Sequence, residues 1–109
     1  MTTEEALKQA PKDDPDLAPL AKTFDAAAVK LKKTPKDEKI KKAYVDAGYT
    51  YAHALMTIDR GKMRPAVQYR AALALYRKVL AVNPKHQASL DEKKSIDDIY
   101  ASMPGGIPK

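Results

Sequence analysis

Cysteine is absent from the chain, which removes disulfides, thiol nucleophiles and Cys-ligated metals, while leaving the compartment open because secreted proteins need not carry cysteine. Glycine is scarce. Gly48, Gly61, Gly105 and Gly106 are the only four, and their spacing makes neither a phosphate-cradling loop nor a dinucleotide fingerprint. No stretch approaches the roughly 20 apolar residues that span a bilayer. The start, MTTEEALKQAPKDD, is acidic and polar, unlike the basic and then apolar beginning of a signal peptide. The expectation is a soluble chain, cytoplasmic if Met1 is the native start. If Met1 instead opens an excised domain, an export signal would lie outside view.

Constellations for chemistry are equally scarce. His53 and His86 are the only histidines, and neither has a second histidine or a carboxylate three or four residues away on the same helical face. His86 reads as a turn residue and His53 as lining a surface. Ser89, Ser95 and Ser102 stand in no nucleophile elbow or other turn that would expose a hydroxyl beside a base. The expectation is no metal, no cofactor and no enzymatic activity.

What the chain does have is alanine, lysine and leucine in helical spacing, with eight prolines mainly between the periodic stretches. Its 109 residues suffice for one domain with a modest core, so residues 1–109 read as a single all-α unit. Thr2 and Glu5 have capping-box spacing and predict a short helix to about Ala10 within a polar segment, 1–15. Leu17, Leu20, Phe24, Ala27 and Leu31 step by three and four and predict a helix over 17–33, with Pro19 in its first turn. Thr34, Pro35 and Asp37 read as the next start, with Thr34 as the capping hydroxyl and Pro35 preset for the first helical position. Ile40, Tyr44, Ala47, Gly48, Tyr51, Leu55 and Ile58 then keep helical register until Asp59, Arg60 and Gly61 supply a stop. Gly48 inside that helix costs about 1 kcal/mol relative to Ala, which points to another backbone approaching closely.

A third long helix is predicted over 62–82, with Pro65 in its first turn, a stripe through Tyr69, Ala72, Leu73, Tyr76, Val79 and Leu80, and an end at Asn83 and Pro84. A fourth is predicted over 85–103, polar until Ile96, Ile99, Tyr100 and Met103, and followed by a tail, 104–109. Short connections make consecutive helices antiparallel neighbours.

Tyr44, Ala47, Gly48 and Tyr51 in one helix, and Ala72, Tyr76, Val79, Leu80 and Pro84 in and after the next, combine a small residue and glycine with a small residue, an aromatic and a closing proline. In this, segment 34–84 resembles one tetratricopeptide repeat (TPR) hairpin. The resemblance implies antiparallel helical hairpins in a TPR-like right-handed stack of about four long helices plus the short N-terminal one. It assigns Tyr44, Ala47, Gly48, Tyr51, Ala72, Tyr76, Val79 and Pro84 to hairpin packing. Gly48 and Ala72 are 24 residues apart, about twice the usual separation, and if the extra residues divide between the end of helix A and the start of helix B, each arm is longer by between one and two turns. Pro35 and Pro84, 49 residues apart, then close successive units. Helix 17–33 becomes helix B of a preceding partial repeat. Segment 85–103 takes the place of the next helix A, with Lys93 and Lys94 where small residues are wanted, and reads as a C-terminal capping helix.

A second stripe, Lys42, Val45, Tyr49, Ala52, His53 and Met56, lies about 100° round from the core stripe of its helix. In TPR proteins the corresponding positions line the groove that receives a peptide or another protein, so the resemblance implies a non-enzymatic scaffold or adaptor with a protein or peptide partner. Two readings stay open: these residues line a groove, or Val45, Tyr49 and Ala52 pack against the first long helix. Val45 and Tyr49 stand where carboxylate-clamping TPR domains carry polar residues, which argues against a C-terminal carboxylate as ligand.

The net charge of +6 is concentrated in segments 30–42 and 60–78, which gives a different class of function its best support: a basic helical bundle that binds nucleic acid. Asp37 and Glu38 interrupt the first segment, and no helix-turn-helix or aromatic RNA-binding motif accompanies it, so a solvated face is the favoured reading there. A third class is self-association into a homo-oligomer, because so few repeats leave terminal apolar faces that identical chains could cover.

Overall fold

The computed structural model describes residues 1–59 and 61–109. Arg60, part of the expected stop and of the second basic segment, lies outside the described residues. Within them the chain is all-α, with α1 Thr3–Lys8, α2 Ala18–Lys33, α3 Glu38–Thr57, α4 Pro65–Val82 and α5 Gln87–Ala101.

Local chemistry sets most of the helix ends. The capping box of α1 is formed, with the Glu5 N–H donating to Thr2 Oγ1 and the Thr2 N–H donating to Glu5 Oε1, both at 3.1 Å. Before α2, the Asp14 carboxylate accepts from the N–H groups of Asp16 and Leu17, and Pro19 sits in the first turn as expected. The start of α3 differs from the sequence expectation. Asp37 is its cap, accepting from the N–H groups of Lys39 and Ile40, whereas Thr34 closes α2 and donates its hydroxyl to the Lys30 carbonyl. Pro35 therefore lies in the turn, because a carboxylate that satisfies two orphan donors outcompetes an upstream hydroxyl.

The end of α3 also has a cause outside its own sequence. Ile58 turns extended. The buried side-chain amide of Gln68 on α4 donates to the Leu55 carbonyl at 2.8 Å and to that of Met56 at 3.2 Å, so a neighbouring helix satisfies the orphan carbonyls.

The long helices form a row, α2 against α3, α3 against α4 and α4 against α5. Gln68 meets Leu55 near one end of the α3–α4 pair, while Val79 meets Gly48 further along, so the two run antiparallel. Helix α4 is also the surface on which α1 lies. Its residues Ala71 to Tyr76 are all buried, as a helix enclosed on every side requires. Helix α1 is too short to be stable alone, and its burial of Thr3 and Ala6 against α4 supplies what propensity cannot.

The tail expected at 104–109 is part of the fold. Gly105 and Gly106 have φ of +92° and +68°, a reversal that side chains with Cβ rarely permit. Beyond it, the Arg77 guanidinium donates to the backbone oxygens of Pro108 at 2.8 Å and Lys109 at 2.9 Å, and Thr3 Oγ1 donates to Lys109. Helix α1, α4 and the tail are thus clasped together. An ion pair from Lys78 to Glu4 at 2.9 Å adds to the clasp.

Gly48 is the close approach that its cost implied, although side chains rather than backbone press on it. A Cβ there would stand 2.6 Å from Val79 Cγ2 on α4 and 3.1 Å from Phe24 Cε1 on α2. Gly48→Ala is expected to destabilise by roughly 1–2 kcal/mol, the overpacking cost exceeding the helix-propensity gain. Urea unfolding measures it, and adding Val79→Ala should make the double variant less destabilised than the sum of the singles. Gln68→Leu should cost about 1–3 kcal/mol in the same assay, because it leaves the Leu55 and Met56 carbonyls unpaired.

Candidate functional site

The stripe Lys42, Val45, Tyr49, Ala52, His53 and Met56 does not form one continuous open surface. Val45 and Ala52 are buried, Tyr49 and Met56 are half-buried against the core, and Lys42 and His53 face solvent. Tyr49 packs towards α4 and α5 rather than α2, its ring centre 6.4 Å from that of Tyr76, 5.3 Å from His86 and 5.8 Å from His53.

What joins these rings is Glu92, a residue the sequence reading did not select. Its carboxylate accepts from the Tyr49 hydroxyl, from the Tyr76 hydroxyl at 2.7 Å, and pairs with His53 Nδ1 at 2.8 Å. Three elements therefore converge on one carboxylate: α3 through Tyr49 and His53, α4 through Tyr76, and α5 through Glu92. A signal for it exists in the sequence. Glu92, Ile96 and Tyr100 step by four along the face of α5 that meets α4, so a carboxylate stands in an otherwise apolar stripe.

The electrostatics follow from the geometry. Partial burial pushes the Glu92 carboxyl up, but the hydrogen bonds from Tyr49, His53 and Tyr76 outweigh it and hold the group below its ordinary value of 4.5. The same bond, with some burial, pushes the Tyr49 hydroxyl from 10.0 up to about 12. For Tyr76, fully buried, burial comes first and the bond to Glu92 second, and both push it up.

A cleft of about 450 Å³ adjoins this cluster where the start of α3, the end of α4 and the start of α5 meet. Lys41, Lys42, Val45, Val82, Asn83 and His86 are among its walls. Lys42 and Val45 of the selected stripe thus line a cleft, while Tyr49 and His53 belong to the carboxylate cluster beside it. Lys42 is also paired with Asp46 at 2.8 Å. His86 is the N-cap of α5, its Nδ1 meeting the Ser89 Oγ at 2.8 Å and accepting from the Ser89 N–H at 3.3 Å, which fixes the ring against Tyr49. Ser89 itself is fully buried.

Among the described residues no group of three His, Cys, Asp or Glu side chains could hold a metal ion, and no helix is long and apolar enough to cross a membrane. No family model matches the chain, and no curated protein or solved structure is significantly similar to it.

Because the Glu92 carboxyl is held below 4.5, it adds stability above that pH, lost as pH falls through the folded value. The Tyr49 shift acts at the other end, adding stability below pH 10 that is lost as pH rises towards about 12. Replacing Glu92→Gln should flatten both limbs of the stability curve, read as urea midpoints across the two ranges, and should lower stability at neutral pH.

Proposed function

We propose that this chain is a TPR-like, non-enzymatic interaction module that receives a protein or peptide on the face shared by α3 and α5. The observation that carries the reading is a repeated turn. Thr34, Pro35, Lys36 and Asp37 link α2 to α3, and Asn83, Pro84, Lys85 and His86 link α4 to α5, 49 residues later. Thr34 and Asn83 have φ/ψ of −135°/69° and −130°/89°, and in each turn the cap N–H donates to the residue three before it, at 3.2 Å in both. Tyr51 and Tyr100, also 49 apart, are both buried on the face that meets the preceding helix.

This periodicity supports a helix-pair repeat, and the wedge at Gly48 supports the role that the resemblance gives it. In α5, Lys94 and Asp98 occupy the places of Val45 and Tyr49 in α3, and pair with each other at 2.7 Å on an exposed face. Such a charged face suits the end of a stack. The partner face then comprises His53, the rim of the Glu92 cluster, and the neighbouring cleft at Lys42 and His86. Tyrosine and histidine there offer rigid area with hydrogen-bonding tips.

Capture of polypeptides on the immobilised protein tests the reading. A partner retained by wild type should be lost from Lys42→Glu and from His53→Ala, both at exposed positions, with circular dichroism checking that each variant is folded. If every captured polypeptide binds the two variants as well as wild type, the assignment of this face is wrong.

One observation favours a second reading, nucleic-acid binding. Lys30, Lys32, Lys33, Lys36 and Lys39 make no ion pair within 4.0 Å among the described residues, and they cluster about one turn. Steep loss of oligonucleotide affinity as salt rises would support it, and no binding at low salt removes it.

A further inference from the structure

A second concavity lies away from the α3–α5 face. Helix α1 packs on α4 and leaves an open cleft of about 490 Å³ towards α2, a size in the range of small-molecule sites. Its apolar walls are Leu7 of α1, Ala18, Ala21 and Phe24 of α2, and Tyr51 of α3. Lys8, Lys12 and Lys22 stand at its edges with Glu4 and Asp25.

Two observations select the chemistry of an occupant. Tyr51 is only 5% exposed, yet its hydroxyl makes no hydrogen bond with any described residue and is not among the polar atoms sealed from solvent. The hydroxyl therefore opens to the cleft, where no protein group competes for it, and is free to donate to whatever enters. Burial and the Asp25 charge both push that hydroxyl up, so it keeps its proton and acts as donor. The edge charges are the second observation. Glu4 is neutralised by Lys78 at 2.9 Å, whereas Lys8, Lys12 and Lys22 make no ion pair among the described residues, leaving three free ammonium groups against the single carboxylate of Asp25.

We propose that the cleft between α1, α2 and Tyr51 binds a free amphiphilic carboxylate of the fatty-acid class, its chain on Leu7, Ala21 and Phe24 and its head near Tyr51 and the lysines. An apolar body matches the walls, and a carboxylate accepts from a phenol while attracting ammonium groups. A cationic head would meet three like charges, and an uncharged one would leave them unanswered. This site is separate from the interaction face proposed above and does not depend on it.

The test is titration of the whole chain with dodecanoate below its micelle concentration, followed by calorimetry and by amide and methyl NMR shifts. Saturable one-to-one binding is expected, with the largest shifts at Leu7, Ala21, Phe24 and Tyr51. Tyr51→Phe should fold normally, since its hydroxyl bonds to no protein group, and should weaken binding about tenfold. The triple change Lys8→Gln, Lys12→Gln and Lys22→Gln should remove the preference for dodecanoate over dodecanol. The double change Lys32→Gln and Lys33→Gln, at the other cluster of unpaired lysines, should bind as wild type.

Four results would overturn the proposal: no saturable binding, shifts centred elsewhere, equal affinity for dodecyltrimethylammonium, or unchanged affinity in both Tyr51→Phe and the triple variant. Shifts that appear only with anionic phospholipid vesicles would overturn it in favour of a lipid surface.

Discussion

The burial of the middle of α4 on all sides is the constraint from which the rest of the fold follows. Ala71, Ala72, Leu73, Ala74, Leu75 and Tyr76 are consecutive and buried, so along this stretch no face of the helix is left for solvent. Burying a large apolar side chain is worth about 1.5–3 kcal/mol, and Leu73, Leu75, Tyr76 and Val79 are all fully enclosed. Meeting that demand takes α3, α5 and α1 on three sides. The alternation of alanine with larger residues lets each neighbour approach at a different depth. It also explains why a six-residue helix such as α1 persists in the fold: it covers the remaining flank of α4.

Within that frame α3 and α5 are tied by polarity rather than by apolar contact alone. Glu92 draws together Tyr49, His53 and Tyr76. A partly buried carboxylate is costly unless its acceptor sites are filled, and here three side chains fill them. Such a cluster holds α5 at one position along α3. It thereby fixes the cleft beside it, since His86, Lys42 and Val45 line that cleft from the same two helices. The positioning of the proposed interaction face and the docking of the last helix are therefore one problem.

Much of the fold was legible in the residues. The helix stripes gave the four long helices, and the Thr2–Glu5 capping box the short one, to within a few residues at most ends, and the buried Tyr44, Gly48, Tyr51, Ala72, Tyr76 and Val79 lie where periodicity put them. The misplacement at Thr34 and Pro35 arose because a cap is a local competition, and Asp37 offers the stronger acceptor. The end of α3 falls near Ile58 as its sequence implies, but the group that satisfies its last carbonyls, Gln68, belongs to another helix and could not be read there. For the same reason the selected stripe broke apart: Val45 and Ala52 are buried, and Tyr49 faces Glu92, a residue 43 positions away. One helix's periodicity does not record which neighbour covers which face.

Sequence alone determined the helical class, the approximate spans of the helices and the capping box of α1. These depend on interactions within a few residues, where propensity, capping and apolar period act. Tertiary structure decided that α1 and the tail clasp α4 through Arg77, that Glu92 joins three helices, and that Tyr51 lines an open cleft with its hydroxyl unpartnered. Those features arise from groups far apart in the chain. Their energies depend on burial and on the direction of each side chain, neither of which exists until the helices have packed.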